Sequence, residues 1–304
     1  MRNMLVFVAV LAVTVPAAWF AGQPTGQPRV TVLPTTDGPT YLIEDGAGRR
    51  VLIGGGDTSA ALQSLADRAL PWDRRVDLLV LAPPFAAHLT GATEVVRRAD
   101  TRRVIELGGP GTKPPMRYDA WQLATLDRGH VPERLWGYAR IPLGNGASLD
   151  LITPDAPDGV PARLPARAPR ASGSTTTRTK PVPTSAIASE ANAAPGAYAR
   201  LTNGRASILL VLGSPGDAVP GFARLHGTTF LIAPSAATLP DLTAIVQPHA
   251  LLALTDAANA DPAGLPAHTL SVPRGTTATL TLDGDGVRVQ GIVNLPVWAN
   301  ETHS

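Results

Sequence analysis

Metal-assisted hydrolysis on an α/β framework needs imidazoles and carboxylates gathered on a loop that follows a buried strand. Neutral His and ionised Asp are good ligands for borderline-hard divalent cations. The stretch VDLLVLAPPFAAHLTGATEVVRRAD, Val76 to Asp100, has that frame: an apolar run, a loop, then a helical pattern. Its loop, however, holds two prolines, a phenylalanine, alanines and one imidazole, His88. Pro, Phe and Ala offer a cation no lone pair, and a single imidazole does not hold a catalytic metal. The histidines His130, His226, His249 and His268 are scattered through segments without regular periodicity, where surface or capping roles are expected. Cysteine is absent, which excludes disulfides, thiolate metal sites and a Cys nucleophile.

The elements that would position such a loop can be read along the chain. Its 304 residues suffice for a sizeable core. Only 16% are charged, and a net charge of +2 does not by itself argue for nucleic acid. Strands are expected at Val30–Leu33, Tyr41–Glu44 and Arg50–Ile53, the last two joined by a DGAG hairpin turn. A helix follows, with Asp57 as candidate cap and Leu62, Leu65, Ala66 and Ala69 on its apolar face. Leu78–Leu81 reads as a buried strand, Thr90–Ala99 as a helix, Arg103–Leu107 as a strand and Tyr118–Arg128 as a helix. Gly137–Pro154 reads as two strands around Asn145-Gly146.

Beyond a linker the pattern resumes. A hairpin turns at Asn203-Gly204 between Tyr198–Leu201 and Ser207–Leu212, and a helix is expected near Ala218–Leu225. Then come a strand at Thr229–Ile232, a helix at Leu239–Val246, a strand at Leu251–Thr255 and a final hairpin through Asp283–Gly286. Two halves that each open on hairpins and continue with alternating strands and helices suggest two mixed sheets covered by helices. Each half is expected to supply one sheet whose inner face only the other covers.

Two segments stand outside this frame. Met4 to Ala21 is an apolar run without charge, at the lower length limit of a spanning helix. Arg2 before it favours a cytoplasmic N-terminus and an exported remainder. Trp19 and Phe20 occupy places where a cleavage signature wants small residues, which favours a membrane anchor at 1–22 over a cleaved signal segment. The expected location is the cell membrane, single-pass, with the globular part extracytoplasmic. From Asp155 to Gly196 there is no apolar period, and Arg163, Arg167, Arg170, Arg178 and Lys180 fall there with no acid between them. That composition reads as a disordered insertion, a spacer first and an anionic contact second. The chain thus divides into an anchor or signal segment (1–22), a first half (23–154), the insertion (155–196), a second half (197–295) and a tail (296–304).

With the elements in this order, the chain resembles the metallo-β-lactamase fold, and within it the C-terminal domain of ComEC-type competence proteins. RVTVLPTTDGPTYLIEDGAGRRVLIGGG is similar to that family's opening, where a VGQGDA turn sits between strands and IDGG ends the third. WDRRVDLLVLAPPFAAHLTGATEVVRRADTRRVIELGG follows the pattern through the T-H-P-H-A-D-H-x-G-G loop. RLTNGRASILLVL resembles the hairpin before the bridging aspartate, and FLIAPSAATLPDLTAIVQPHALLALTDA the segment that carries HHGS. The resemblance implies an α+β fold, an αββα sandwich, here degenerate and set behind the membrane anchor.

It also implies what has been lost. The loop's first His falls on Pro83, its second on Phe85, its Asp on Ala87 and its last His on His88. The IDGG aspartate falls on Gly54, the bridging aspartate on Gly213, and the HHGS pair on Pro234 and Ser235. Active members bind two metals, commonly zinc, which lower the pKa of a water and clamp the scissile ester. Here only His88 persists, with Asp217, a few residues past Gly213, as the one further ligand a shifted alignment would offer. No catalytic residue and no cofactor are therefore expected. The resemblance implies a non-catalytic interaction module in DNA uptake. Its implied partners are the membrane through Met4–Ala21, a membrane channel or other competence component, and nucleic acid. The alternatives are a residual zinc-dependent hydrolase acting on nucleic acid or another phosphodiester, and a purely structural remnant.

Overall fold

Strands buried along their whole length need cover on both faces, and the sequence provides them as unbroken apolar runs. The computed structural model describes residues 26–35, 38–56, 60–68, 74–109, 114–154, 196–213, 228–234, 239–255, 268–273 and 276–294. Within these, β5 (Leu78–Leu81), β7 (Val104–Leu107), β12 (Ala206–Val211) and β13 (Phe230–Ala233) are buried throughout.

They belong to two sheets. The first adds β1 (Arg29–Leu33), β2 (Thr40–Glu44), β3 (Arg50–Ile53), β8 (Glu133–Leu135), β16 (Thr276–Leu282) and β17 (Val287–Asn294). Its order is β17-β16-β1-β2-β3-β5-β7-β8. The second adds β9 (Tyr138–Pro142), β10 (Ser148–Ile152), β11 (Tyr198–Asn203), β14 (Ala250–Thr255) and β15 (Thr269–Pro273). Its order is β15-β14-β13-β12-β11-β10-β9. In each sheet antiparallel hairpins lead into a parallel run, from β3 through β8 and from β12 through β15. A short parallel pair, β4 (Arg75–Val76) and β6 (Asp100–Thr101), stands apart. The helices are α1 (Ala60–Arg68), α2 (Leu89–Arg98), α3 (Tyr118–Asp127) and α4 (Leu239–Val246).

Alternation along the strands decides the layers. Tyr41 and Ile43 of β2 face inward and join Leu149, Leu201, Ile208 and Leu210 of the second sheet in one apolar cluster. Leu42 faces outward, with Leu52 and Leu79, against Leu65, Val95 and Trp121 of the first three helices. On the far side Leu209, Val211 and Leu231 pack under Leu242 and Val246 of α4. The result is four layers, helix–sheet–sheet–helix, in the α+β class.

The expected strands and helices within the described residues recur to within about two residues, the ordinary fuzziness of element ends. Asn145 and Gly146 both take positive φ, 57° and 78°, as the hairpin between β9 and β10 requires. Four strands were not legible: β4 and β6 have two residues each, β8 reads ERL, and β15 ends on Pro273. On α1 the buried face runs through Ala61, Ser64 and Leu65, while Ala66 is exposed and Leu62 half-buried, one residue off the expected stripe. The cap candidate Asp57, Ala69, the expected helix near Ala218–Leu225, the anchor Met4–Ala21 and the insertion 155–196 except its last residue, the buried Gly196, lie outside the described residues.

The division of labour between the halves differs from expectation. β9 and β10 come from the first half yet extend the second sheet, and β16 and β17 come from the second half yet pair beside β1. Register along the chain's two hairpin-rich openings sets this exchange, since β10 finds its partner in β11, across the insertion. Residues 29–154 expressed alone therefore lack both the strand that flanks β1 and most of the second sheet. We expect them to show no cooperative urea transition, whereas the full chain does; a two-state transition of the fragment would contradict this layout.

Candidate functional site

Parallel strands end together, so their carboxyl ends gather loops into one place. At that end of the first sheet, Gly54 follows β3 directly, the loop 82–88 follows β5, and His88 caps α2. His88 occupies the N-cap position without a side-chain capping bond and is fully buried, at 0% exposure. The Gly56 amide donates to its Nδ1 at 3.4 Å. With Nδ1 accepting, the neutral ring carries its proton on Nε2, and that N–H has no hydrogen-bond partner among the described residues. Burial pushes the ring's pKa down to about 4.

Glycine backbones form the walls. A Cβ on Gly38 would lie 2.6 Å from His88 Cε1 and 3.1 Å from Nε2. A Cβ on Gly54 would lie 3.1 Å from Nδ1 and 2.9 Å from the Pro39 carbonyl, and Gly54 holds a φ of 88°. That conformation is strained for any residue with a side chain. An aspartate at position 54 would meet both the imidazole and the carbonyl, so the space that a ligand would occupy is taken by the ring itself. Gly38 and Gly56 were not singled out from sequence. Their signal was the glycine density of TTDGPT and IGGG, which gains meaning only once His88 is placed between them.

The other motif positions among the described residues supply no ligands. Pro83 is buried; Phe85, 7% exposed, meets the Tyr118 ring edge-on at 6.4 Å, turned into the helix layer. A Cβ on Gly38 would lie 3.1 Å from Ala87 Cβ. Pro234, at the end of β13, lines a cavity of about 10 Å³ together with Leu33, Gly38, Pro39, Leu254 and Thr276. That is room for about one water. Gly213 is buried directly after Leu212, one strand over. Ser235, Asp217 and His226 lie outside the described residues. His130 is half-buried after α3, with its pKa lowered by burial and by the nearby Arg128. His249 and His268 are exposed. Among the described residues no three His, Asp or Glu side chains come together as a metal site would need.

The side chains around His88 do not fit a metal ion. One nitrogen is engaged by Gly56, the other carries hydrogen, and the surrounding atoms are glycine, proline and alanine. What the arrangement can do is bury a neutral imidazole, with one N–H available to a water or a carbonyl.

A second polar cluster lies on the outer face of the second sheet. Arg140 forks onto Asp150 at 2.6 and 2.8 Å, and the Tyr138 hydroxyl donates to the same carboxylate at 3.0 Å. Those bonds satisfy the carboxylate and leave no poised acid or base.

No protein-family model matches the sequence, and no curated protein does. Among solved structures the chain is similar to a long form RNase Z from yeast, at 10% identity and a TM-score of 0.37, over 89% of this chain and 50% of that one. The chain thus spans about half the length of that protein. No helix among the described residues is long and apolar enough to cross a membrane.

The His88 environment has a pH signature. Its folded pKa near 4 lies below the unfolded value of 6.5, so unfolding takes up a proton in that window. Stability is unaffected above pH 6.5, declines as pH falls through the window, and levels near pH 4. The shift corresponds to about 3 kcal/mol. His88→Gln keeps a donor and an acceptor but does not titrate. Between pH 7 and pH 4, wild-type unfolding free energy should fall by about 3 kcal/mol more than that of the variant; equal falls would show that His88 is not buried neutral.

Proposed function

We propose that this chain is a metallo-β-lactamase-like domain without metal chemistry, held at the membrane on the exported side, where it acts as an interaction module related to ComEC-type DNA uptake. The observation that carries this reading is the filling of the site. Where the resemblance calls for a strand-ending aspartate, Gly54 packs its backbone against His88, and Phe85 turns away into the helices. A vacant cluster of ligands would leave unpaired polar groups in a buried place, each costing about 1–3 kcal/mol. Glycine, proline, phenylalanine and alanine remove that cost and keep the four layers intact. A residual hydrolase would have to work from His88 and Asp217 alone, too few ligands for a two-metal clamp.

The full chain, purified in detergent after growth in zinc-supplemented medium, should contain no stoichiometric transition metal by elemental analysis. Two zinc ions per chain, or one that survives dialysis, would overturn the reading. Topology is tested separately: protease added outside intact cells should digest the body and leave a membrane-held fragment. A body protected from that protease, or a secreted chain that starts near Gly22, would contradict the anchored, exported arrangement.

A further inference from the structure

At the end of the first sheet opposite His88, where β1, β3, β5, β7 and β8 begin and α2 and α3 finish, arginines outnumber their acids. Three carboxylates each serve two guanidinium groups. Glu44 meets Arg29 at 3.6 Å and Arg50 at 3.5 Å. Asp77 meets Arg75 at 2.9 Å and Arg102 at 3.4 Å. Glu94 meets Arg97 at 3.8 Å and Arg98 at 2.9 Å. The Asp77 and Glu94 trios each carry two positive charges and one negative, so the two together contribute +2, as much as the whole chain. The neighbouring pair Arg49–Asp45 is balanced one to one.

These groups form one surface. The Arg50 amide donates to Asp77 at 3.0 Å, the Asp100 amide to the Arg74 carbonyl at 3.0 Å, and the Arg128 guanidinium to the Ala99 carbonyl at 3.4 Å. Arg97, Arg98 and Arg102 have side chains 54%, 60% and 59% exposed. A guanidinium has five N–H donors, so sharing one carboxylate leaves donors for phosphate oxygens.

Two further observations fall at the same end. Helix α3, held near its opposite end by Glu106, which accepts from Tyr118 Oη and Trp121 Nε1 at 2.8 Å, finishes here. Leu126 is 58% and Val131 42% exposed where α3 finishes. The chain also enters β1 here, with the Gly26 carbonyl accepting from Asn145 Nδ2 at 3.3 Å. Gly22 to Pro28 are the only residues between the apolar run Met4–Ala21 and β1, a reach of at most about 25 Å.

We propose that this arginine-rich end is a docking surface for an anionic phospholipid bilayer, with Leu126 and Val131 at headgroup level and the His88 region turned away from the membrane. Cations gain from the negative surface potential of such a bilayer only within about a Debye length, roughly 8–10 Å at physiological ionic strength. The tether keeps the surface within about 25 Å of the bilayer, and the charges themselves supply the final approach. A basic surface so close in sequence to the apolar run favours a bilayer over nucleic acid as its anionic partner. The tether rests on the proposed anchor; the charge pattern and the exposed leucine do not.

The chain has no cysteine, so single substitutions allow unambiguous labelling. Leu126→Cys near the end of α3 and Met116→Cys two residues before its start place a fluorophore toward opposite ends of that helix, both at exposed positions. The full chain is mixed with vesicles of phosphatidylcholine, or of phosphatidylcholine with phosphatidylglycerol, that carry a lipid-attached quencher. We expect several-fold stronger quenching at position 126 than at 116 on the anionic vesicles. High salt, or the combined change Arg97→Gln, Arg98→Gln and Arg102→Gln, should bring the two toward parity. Equal quenching at both positions, indifference to anionic lipid, or a position-126 label that answers to added DNA and not to vesicles would overturn the proposal. Flotation with neutral vesicles reports the anchor alone: a chain that fails to float there, yet is quenched at position 126 on anionic vesicles, loses the anchor and keeps the docking surface.

Discussion

Two sheets that share one apolar interior and are each roofed by helices leave polar chemistry almost nowhere to go but the strand ends. Tyr41, Ile43, Leu149 and Ile208 hold the inner layer. Leu52 and Leu79 on one outer face, Leu209 and Leu231 on the other, hold the helices. Because β9–β10 and β16–β17 are exchanged between the halves, this interior closes only when both halves of the chain are present. The carboxyl ends of the parallel strands then frame the His88 pocket, and the amino ends frame the arginine surface. One packing constraint thus fixes two places with opposite characters.

The pocket end is a study in how an imidazole is retained without charge. Burial between Gly38 and Gly54 disfavours the imidazolium, and the Gly56 amide fixes the tautomer by donating to Nδ1. The remaining N–H lacks a hydrogen-bond partner among the described residues, a cost that a glycine-walled site tolerates for one group but not for a cluster. The arginine end follows the reverse logic. Its charges remain in water, share carboxylates and retain hydrogen-bonding capacity, as suits a surface that meets phosphate.

Much of the fold was legible because its signals are local. Apolar runs such as LLVL and ASILLV, the Asn145-Gly146 turn and the periodicity of α2 each act over a few residues. What was not legible depends on distant partners. β8 and β15 are too short or too polar to announce themselves and exist because a neighbouring strand offers hydrogen bonds. The exchange of strands between the halves is a matter of pairing, which no window of sequence contains. In the site, the non-ligating character of Phe85, Ala87 and Gly54 is plain from residue type. The role of Gly38 is not, since it lies 50 positions from His88 in sequence and within a Cβ's reach in space.

The account turns on a buried, neutral His88 that does not take a metal. Its two ring nitrogens can be observed directly by ¹⁵N–¹H correlation NMR on the full chain, with and without added zinc. The account predicts a neutral ring at pH 7, with the proton on Nε2 and Nδ1 unprotonated, and no change in either resonance as zinc is added. A shift of either nitrogen into the metal-bound range, or a protonated ring at that pH, would contradict it.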